Sequence, residues 1–233
     1  MSMKYLMATS ADENVMDYTK YTHPILRMFA EKWKADFKVF GSFLNINERW
    51  RILEFYKRFE DYDRVFFVDS DVVINKNCPN IFDKVPFDTI GVIFEDKGSR
   101  RKDRRLQIAK IKQRFGSNEH WTCGFFNMGI LLASKIHRNM FTKINGQLWN
   151  GKFAQTHLNY QMMKFGYKYI NLGYKWNHMS MFSEAWNGSP SRFDSFIIHY
   201  AGGGKFPDKG KRSRVQLIKD DIAKIYEGEY IND

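Results

Sequence analysis

Residues 66 to 74 read FFVDSDVVI, and two carboxylates, Asp69 and Asp71, interrupt an otherwise apolar run. Residues 65–68 are all apolar, which is typical of a central parallel strand that helices cover on both faces. In an extended chain, residues two apart point to the same side. We therefore expect Asp69 and Asp71 to project together from the end of a buried strand.

Two like charges held this close are most stable with a cation between them. Carboxylate oxygens are hard ligands that suit Mg²⁺ or Mn²⁺, ions that often keep coordination positions open for substrate phosphates. The alternative interpretation is that the two residues belong to an ordinary turn, because Asp and Ser are common turn residues. The apolar residues 72–74 resume directly after Asp71, and this favours a carboxylate held near the core.

Strand-like and helix-like segments alternate along the chain. Apolar runs predict strands at residues 5–9, 37–40, 65–68, 89–94, 125–133 and 195–200, and helical spacing predicts helices at 47–59, 154–165, 215–226 and one beginning at Thr22. This alternation predicts an α/β fold with a mostly parallel central sheet flanked by helices. Because there is no internal repeat or linker-like segment, we expect a single domain over residues 1–233.

A second polar segment, HYAGGGK at residues 199–205, overlaps the end of a predicted strand. His199 is a potential metal ligand, glycines let backbone N–H groups approach an anion closely, and Lys205 can neutralise phosphate. Taken alone, His199 is more often structural and the glycines a turn. Neither GxxxxGK[ST] nor GxGxxG occurs, which argues against the P-loop and Rossmann classes. Together with Asp69 and Asp71, the segment predicts a site for a metal and a diphosphate.

The composition favours an anionic partner and a reducing compartment. Lys and Arg number 37 against 26 for Asp and Glu, a formal charge of +11, which suits nucleic acid, an acidic membrane surface or a phosphorylated small molecule. Cys78 and Cys123 are the only cysteines, too few for a disulfide framework. The N-terminal residues make a poor signal peptide, and no apolar run approaches a membrane-spanning length. We expect a cytoplasmic protein, a class that includes virus- or phage-encoded products made there.

Five segments, in this order, resemble the family 8 glycosyltransferases: DYDRVFFVDSDVVI, FFNMGILLAS, QTHLNYQMM, KWNHMSMF and HYAGGGK. This family includes glycogenin and the bacterial lipooligosaccharide galactosyl- and glucosyltransferases. The resemblance extends from about residue 5 to residue 207. It implies a GT-A fold and transfer of a hexose from a UDP-sugar, with UDP-glucose or UDP-galactose as the first guess, to a glycan or protein-linked acceptor. Retention of the anomeric configuration is the expected outcome.

The resemblance also implies roles for particular residues. Asp69, Asp71 and His199 would hold Mn²⁺ or Mg²⁺, which would bridge the donor diphosphate. Asn127 and Gln155 would face the transferred sugar, and the catalytic residues would be Gln155 and Asp71. The full set of expected donor-binding residues is Ser10, Asp12, Asn14, Arg51, Asp69, Ser70, Asn127, Gly202 and Lys205.

One segment departs from the family pattern. Family members usually carry DQDxLN, whereas this chain reads AQTHLN, with Ala154 and Thr156 in place of the two carboxylates. Gln155 and Asn159 share one helical face, so Gln155 can still lie beneath the sugar. The missing carboxylates predict altered contacts with the donor sugar, so the identity of the hexose and the retaining outcome stay open.

Two other classes of protein are compatible with parts of the sequence. A non-catalytic nucleotide-sugar or nucleic-acid binder would use the positive charge, but nucleic-acid binding gives no reason for DSD combined with HYAGGGK. We therefore expect no nucleic-acid partner. A nucleotidyltransferase or sugar-nucleotide pyrophosphorylase normally needs a glycine-rich, basic loop after the first strand, where residues 10–14 read the acidic SADEN.

The segment at residues 97–116, KGSRRKDRRLQIAKIKQRFG, is dense in positive charge. We expect a solvated helix whose buried side holds Ile108, Ile111 and Phe115. The functional alternative is an arm that faces the acceptor or an anionic membrane, and the basic cluster at residues 209–214 has the same two interpretations. Neither segment identifies an acceptor.

Overall fold

The computed structural model describes residues 2–41, 54–116, 120–151, 153–180, 182, 191–202 and 212–227. The strands among them are β1 (Tyr5–Ser10), β2 (Ala35–Phe40), β3 (Arg64–Val68), β4 (Val72–Ile74), β5 (Ile90–Phe94), β6 (Phe126–Ser134), β7 (Tyr169–Asn171), β8 (His178–Met179) and β9 (Ile197–His199). The helices are α1 (Met16–Lys32), α2 (Phe55–Arg58), α3 (Ile81–Lys84), α4 (Arg101–Phe115), α5 (Gln155–Lys164) and α6 (Arg214–Ile225). Most of the helix predicted at residues 47–59 lies outside the described residues.

The strands of the described residues form two sheets. The larger sheet has the order β2-β1-β3-β6-β5-β7, and the smaller one has the order β4-β9-β8. In the larger sheet β1 is parallel to β2 and β3, and β5 is parallel to β7, whereas β6 is antiparallel to both of its neighbours. The prediction of an α/β fold with a mostly parallel central sheet is confirmed.

Helices cover both faces of the larger sheet, which explains the uninterrupted apolar run of β3. Phe66 and Val68 pack with residues of α1, α6 and the smaller sheet. Val65 and Phe67 point the other way and pack with residues of α2 and α5. Because every position of β3 is buried, the alternation of a half-exposed strand does not occur in it.

The DSD segment, residues 69–71, is the point at which the chain passes from the larger sheet to the smaller one. β3 ends at Val68, and β4 begins at Val72. β4 pairs with β9 in antiparallel register, with Val72 opposite His199, and the Tyr200 amide donates to the Asp71 carbonyl at 2.9 Å. The register of the smaller sheet therefore brings His199 beside the two carboxylates.

Because β6 is reversed, its first residues lie at the sheet edge where β1 and β3 end. Val68 pairs with Ile130, and the Asp69 amide donates to the Gly129 carbonyl at 2.9 Å. The FNMG segment, residues 126–129, is thereby fixed next to the DSD segment. The alternation of strands and helices had predicted only a further strand at residues 125–133, without its direction.

The first helix begins earlier than predicted. α1 starts at Met16, after a short turn in which the Asp12 carboxylate accepts from the Asn14 amide at 2.9 Å, and this turn sets the helical path before Thr22 is reached. The prediction that this helix begins at Thr22, with the Thr22 side chain as its cap, is therefore wrong. Thr22 is buried, and its hydroxyl donates to the Ser70 carbonyl at 2.7 Å, which ties α1 to the DSD segment.

The basic segment at residues 97–116 contributes α4, as expected. Ile108 and Ile111 are buried on its inner side, and Phe115 is half-buried. None of the helices in the described part of the chain combines the length and the apolar character that crossing a bilayer requires.

Replacing Thr22 with Val removes the hydroxyl at nearly constant volume and leaves the Ser70 carbonyl without this donor. We expect the free energy of unfolding to fall by about 1–3 kcal/mol, the cost of leaving a buried polar group unsatisfied. Thr22→Ser keeps the hydroxyl and should lose about 1 kcal/mol, the transfer free energy of one methyl group. Urea denaturation followed by circular dichroism measures both, and a Thr22→Val protein as stable as the wild type would contradict this account of the contact.

Candidate active site

Three potential metal ligands converge where the DSD segment meets β9. Asp69, Asp71 and His199 offer ligand atoms that all lie within 4.8 Å of one another. His199 Nε2 is 3.4 Å from Asp69 Oδ2 and 3.2 Å from Asp71 Oδ1. The side chain of Asp71 is only 13% exposed, whereas that of Asp69 is 36% exposed, so the cluster opens to solvent on one side. Two carboxylates and an imidazole form a donor set that fits Mn²⁺ or Mg²⁺.

The imidazole and the carboxylates stabilise one another's charged forms. Burial favours the neutral imidazole, but the carboxylates of Asp71 and Asp69 outweigh burial and raise the pKa of His199 to about 10. Burial likewise opposes ionisation of Asp71, yet His199 and Arg214 hold the pKa of this carboxyl below its ordinary value. A divalent cation would compete with the His199 proton for the same nitrogen, Nε2.

Gly129 of the FNMG segment lies directly against the cluster. A Cβ atom at this position would lie 2.5 Å from both Asp69 Oδ2 and His199 Cε1, well inside van der Waals contact. A larger residue would therefore have to displace the carboxylate or the imidazole. Glycine is required here because the site approaches the backbone closely.

A fully buried carboxylate, Glu95, connects the two residues predicted to face the sugar. Glu95 follows β5 and has no exposed surface. It accepts from Asn127 Nδ2 at 2.9 Å and from Gln155 Nε2 at 2.6 Å, and it forms an ion pair with Arg104 of α4. Sequence reasoning did not assign Glu95 or Arg104. The available signal for Glu95 was its position, since the segment EDKG follows a predicted strand.

Gln155 is oriented without a carboxylate at either neighbouring position of the chain. Ala154 and Thr156 flank it, and Thr156 is fully buried. Asn159, one turn further along α5, accepts from the Phe126 amide at 2.8 Å and donates to the Gln155 carbonyl at 2.9 Å. α5 is thereby fixed to the start of β6, with Gln155 and Asn159 on the helical face that the sequence predicted.

Asn177 of the KWNHM segment, residues 175–179, is fully buried. It lies behind the metal-ligand cluster, the group formed by Asp69, Asp71 and His199. Its Oδ1 lies 2.8 Å from His199 Nδ1, and its Nδ2 donates to Asn127 Oδ1 at 3.0 Å. Sequence reasoning did not single out this residue. The only signal was that the KWNHM segment belongs to the family resemblance.

The predicted nucleotide-binding residues are only partly within the described chain. Ser10, Asp12 and Asn14 lie at the end of β1 and in the turn that follows. β1 is the parallel neighbour of β3, so these residues share the sheet edge from which Asp69 projects. Arg51 and Lys205 fall outside the described residues.

Arg214 lies at the cluster, although sequence reasoning did not place it there. Its Nη1 is 3.5 Å from Asp71 Oδ2, and its Nη2 donates to the Gly202 carbonyl. The guanidinium also lies 5.2 Å from the centre of the Tyr18 ring. The basic cluster at residues 209–214 was expected to face solvent or a membrane. For Arg214 this expectation is wrong, because the residue opens α6 and its side chain, 25% exposed, turns towards Asp71.

A buried ion pair fixes α6 in this position. Asp221 accepts from Arg192 Nε and Nη2, both at 2.7 Å, and from the Tyr200 hydroxyl at 2.6 Å. Tyr200 directly follows β9, the strand that carries His199. These hydrogen bonds of Asp221 therefore couple α6 to β9, the strand that carries His199, and they set Arg214 beside the DSD segment.

A match to a glycosyltransferase family profile, together with the fold shared with solved glycosyltransferases, identifies a glycosyltransferase of the GT-A class, whose members generally use a divalent metal and a nucleotide-sugar donor. The sequence profile of glycosyl transferase family 8 matches residues 48–207, well over half of the chain. The protein belongs to this family, so the resemblance found in the sequence is confirmed. No curated protein sequence matches the chain.

Solved glycosyltransferase structures share the fold. One, involved in glycosylation of the major capsid of PBCV-1, has a TM-score of 0.61 at 13% identity, over 93% of this chain and 99% of its own. The galactosyltransferase LgtC, solved with donor and acceptor sugar analogues, has a TM-score of 0.57 at 15% identity, over 97% of this chain and 100% of its own. The bifunctional glycosyltransferase WbbM has a TM-score of 0.63 at 15% identity, over 100% of this chain and 52% of its own. Identities this low establish a common fold only.

Replacing Gly129 with Ala should weaken binding of Mn²⁺ by the protein, because the new methyl group overlaps Asp69 Oδ2 and His199 Cε1. We expect a loss of affinity of about tenfold or more, in the range caused by disturbing groups that orient metal ligands. Isothermal titration calorimetry with Mn²⁺ measures it. Gly41→Ala is the matched control, because its Cβ would meet nothing closer than 4.0 Å. Equal affinity of both variants would contradict this geometry of the cluster.

Proposed function

We propose that residues 1–233 act as one GT-A domain that transfers a hexose from a UDP-sugar to a glycan or protein-linked acceptor. UDP-glucose and UDP-galactose are the first donors to test. In this proposal Asp69, Asp71 and His199 are the ligands of a divalent cation, Mn²⁺ or Mg²⁺. The observation that carries it is the convergence of two carboxylates and an imidazole from two sheets at the carboxyl end of β3.

The proposed leaving group is a diphosphate, which gains negative charge as its bond to the sugar breaks. A divalent cation held by Asp69 and Asp71 supplies a positive charge where that charge develops. The chain adds positive groups of its own. Arg214 lies beside Asp71, and Lys205 of the HYAGGGK segment is assigned to the phosphates. A strong protein acid would not be needed, because these positive groups would stabilise the charge of the departing diphosphate without protonation.

Asn127 and Gln155 are proposed to contact the transferred sugar. Both are nearly buried, at 7% and 8% exposure, and each donates its amide to Glu95. An inverting enzyme needs a general base for the acceptor hydroxyl. Asp69 and Asp71 face the cation position, and Glu95 accepts from three donors, so none of these three carboxylates is free for that task. A retaining reaction through an oxocarbenium-like state, the outcome that the family resemblance implies, is part of the proposal.

Asp71→Asn should strongly reduce cation-dependent release of UDP, because the amide removes a negative ligand from the proposed site. We expect turnover to fall by about 100-fold or more, the usual cost of removing one group that stabilises transition-state charge. The assay compares UDP-glucose and UDP-galactose with Mn²⁺ and with EDTA. Asp88→Asn, which breaks an exposed ion pair with Lys168, is the control and should keep the wild-type rate.

Unchanged turnover of Asp71→Asn would contradict the assignment of Asp71 as a ligand of the catalytic cation. Donor binding by the wild type without release, with every acceptor tried, would favour the alternative of a non-catalytic nucleotide-sugar binder. Binding of nucleic acid that weakens steeply with salt and ignores EDTA would favour the other alternative.

We further propose that the exposed side of α4 contacts an anionic membrane surface, such as the cytoplasmic leaflet that a cytosolic enzyme meets. Leu106 is 49% exposed near the middle of this side, and Ala109 follows it one turn later. Exposed basic residues surround these two apolar residues: Arg101, Lys102, Arg105, Lys110 and Arg114. A basic helix face with an apolar centre suits the interface of anionic lipids.

Reversing two charges of this face, Lys102→Glu with Arg105→Glu, should weaken binding to phosphatidylserine-containing vesicles by about 30-fold or more, at about 1 kcal/mol per basic residue near the surface. Vesicle co-sedimentation at fixed salt measures the affinity. Lys84→Glu with Lys135→Glu changes net charge equally at exposed positions elsewhere and should have a smaller effect. Equal losses in both double variants would contradict a specific α4 contact.

A further inference from the structure

A continuous chain of buried amides links Glu95 to the metal-ligand cluster. Glu95 accepts from Asn127 Nδ2 at 2.9 Å. Asn127 Oδ1 in turn accepts from Asn177 Nδ2 at 3.0 Å, and Asn177 Oδ1 lies 2.8 Å from His199 Nδ1. All four side chains are buried, with exposures between 0% and 7%. The far nitrogen of the imidazole, Nε2, faces Asp69 and Asp71.

The orientation of every group in this chain follows from Glu95. Its carboxylate receives N–H groups from Arg104, Asn127 and Gln155 and acts only as an acceptor. The NH₂ of Asn127 must therefore face Glu95, which turns its oxygen towards Asn177.

Asn127 Oδ1 also accepts from the Gly129 amide at 2.9 Å, which fixes the same orientation a second time. The NH₂ of Asn177 must then face Asn127, and the oxygen of Asn177 must face His199. An oxygen at this place requires the imidazole to carry a hydrogen on Nδ1 and leaves Nε2 as the nitrogen that can bind a cation.

We propose that Glu95 is a positioning residue that selects the metal-binding tautomer of His199 through Asn127 and Asn177. This inference rests on the cation site of the proposed function. It adds a role for a carboxylate that is separated from the ligands by two amide side chains. Groups that orient metal-binding histidines in this way commonly change metal affinity by about 10–100-fold when they are mutated.

Arg104 and Gln155 show why a single carboxylate can set this orientation. Arg104 supplies the balancing positive charge, and its Nη1 also donates to Asp103 at 2.6 Å. Gln155 donates its NH₂ to Glu95, so its oxygen is turned towards the Met128 amide at 3.4 Å. The same carboxylate therefore orients Gln155 on the sugar side of the site. Through a hydrogen-bonded relay, formed by Asn127 and Asn177, it also orients the His199 imidazole on the metal side.

The direct test measures the Mn²⁺ affinity of the Glu95→Gln protein by calorimetry, in the absence of any nucleotide-sugar. Circular dichroism first confirms that this variant is folded. The glutamine carries donors of its own, so it cannot accept from all three partners and no longer dictates the orientation of Asn127. We expect the affinity to fall about 10–100-fold. Arg64→Met is the control for a buried polar defect of purely structural effect. Arg64 donates to Ser134 Oγ and to the Phe82 carbonyl at the opposite end of β3, and its loss should lower stability only.

Variants of Asn177 test the relay if Glu95→Gln does not fold. Asn177→Leu removes the acceptor for the Nδ1 hydrogen and should lose affinity as Glu95→Gln does. Asn177→Asp keeps an acceptor at this place, in the carboxylate–histidine arrangement common in metal sites, and should retain most of the wild-type affinity. NMR of ¹⁵N-histidine-labelled protein with saturating Mg²⁺ should show a hydrogen on Nδ1 and none on Nε2 of His199 in the wild type and in Asn177→Asp, and a larger fraction of imidazole with a hydrogen on Nε2 in Asn177→Leu.

The outcomes distinguish a failure of the hydrogen-bonded relay from a failure of the cation site. Wild-type Mn²⁺ affinity in Glu95→Gln, or equal affinities of Asn177→Leu and Asn177→Asp, would overturn the relay while the cation site stands. Failure of the wild-type protein to bind Mn²⁺ would overturn the cation site and the relay together.

Discussion

The antiparallel pairing of β4 with β9 is the constraint on which the whole site depends. Its register sets Val72 opposite His199 and joins the Tyr200 amide to the Asp71 carbonyl. A slip of one residue would turn His199 to the other face of the strand. The register is held by apolar residues, since both strands are buried along their length. Ordinary hydrophobic packing thus fixes two like charges, those of Asp69 and Asp71, side by side and places His199 between them.

The polar interior behind this cluster is unusually well connected. Glu95 brings together β5, α4, α5 and β6, and Asn177 extends the same network to β9. Such a network is stabilising only when all of its members are satisfied. Here the carboxylate is satisfied by three donors, which also explains how Gln155 is held although α5 lacks the carboxylates usual in the family. The metal side and the sugar side of the site are therefore parts of one hydrogen-bonded unit.

Sequence reasoning succeeded where a local rule sets the geometry. The period of an extended chain placed Asp69 and Asp71 on one side, and the glycine-rich segment after a strand pointed to His199. Reasoning failed where the partner lies on another element of the fold. Nothing local to Arg104 or Arg214 indicates Glu95 or Asp71 as its neighbour. The early start of α1 was missed because Thr22 has the chemistry of a cap, while its actual acceptor, the Ser70 carbonyl, lies on another element.

The most direct test of the central claim is anomalous diffraction at the manganese edge from crystals grown with Mn²⁺ and UDP. This account predicts one strong peak bounded by carboxylate oxygens of Asp69 and Asp71 and by His199 Nε2, with the UDP diphosphate completing the coordination. Crystals that contain UDP but no anomalous peak between these three side chains, or a peak held by other residues, would contradict it.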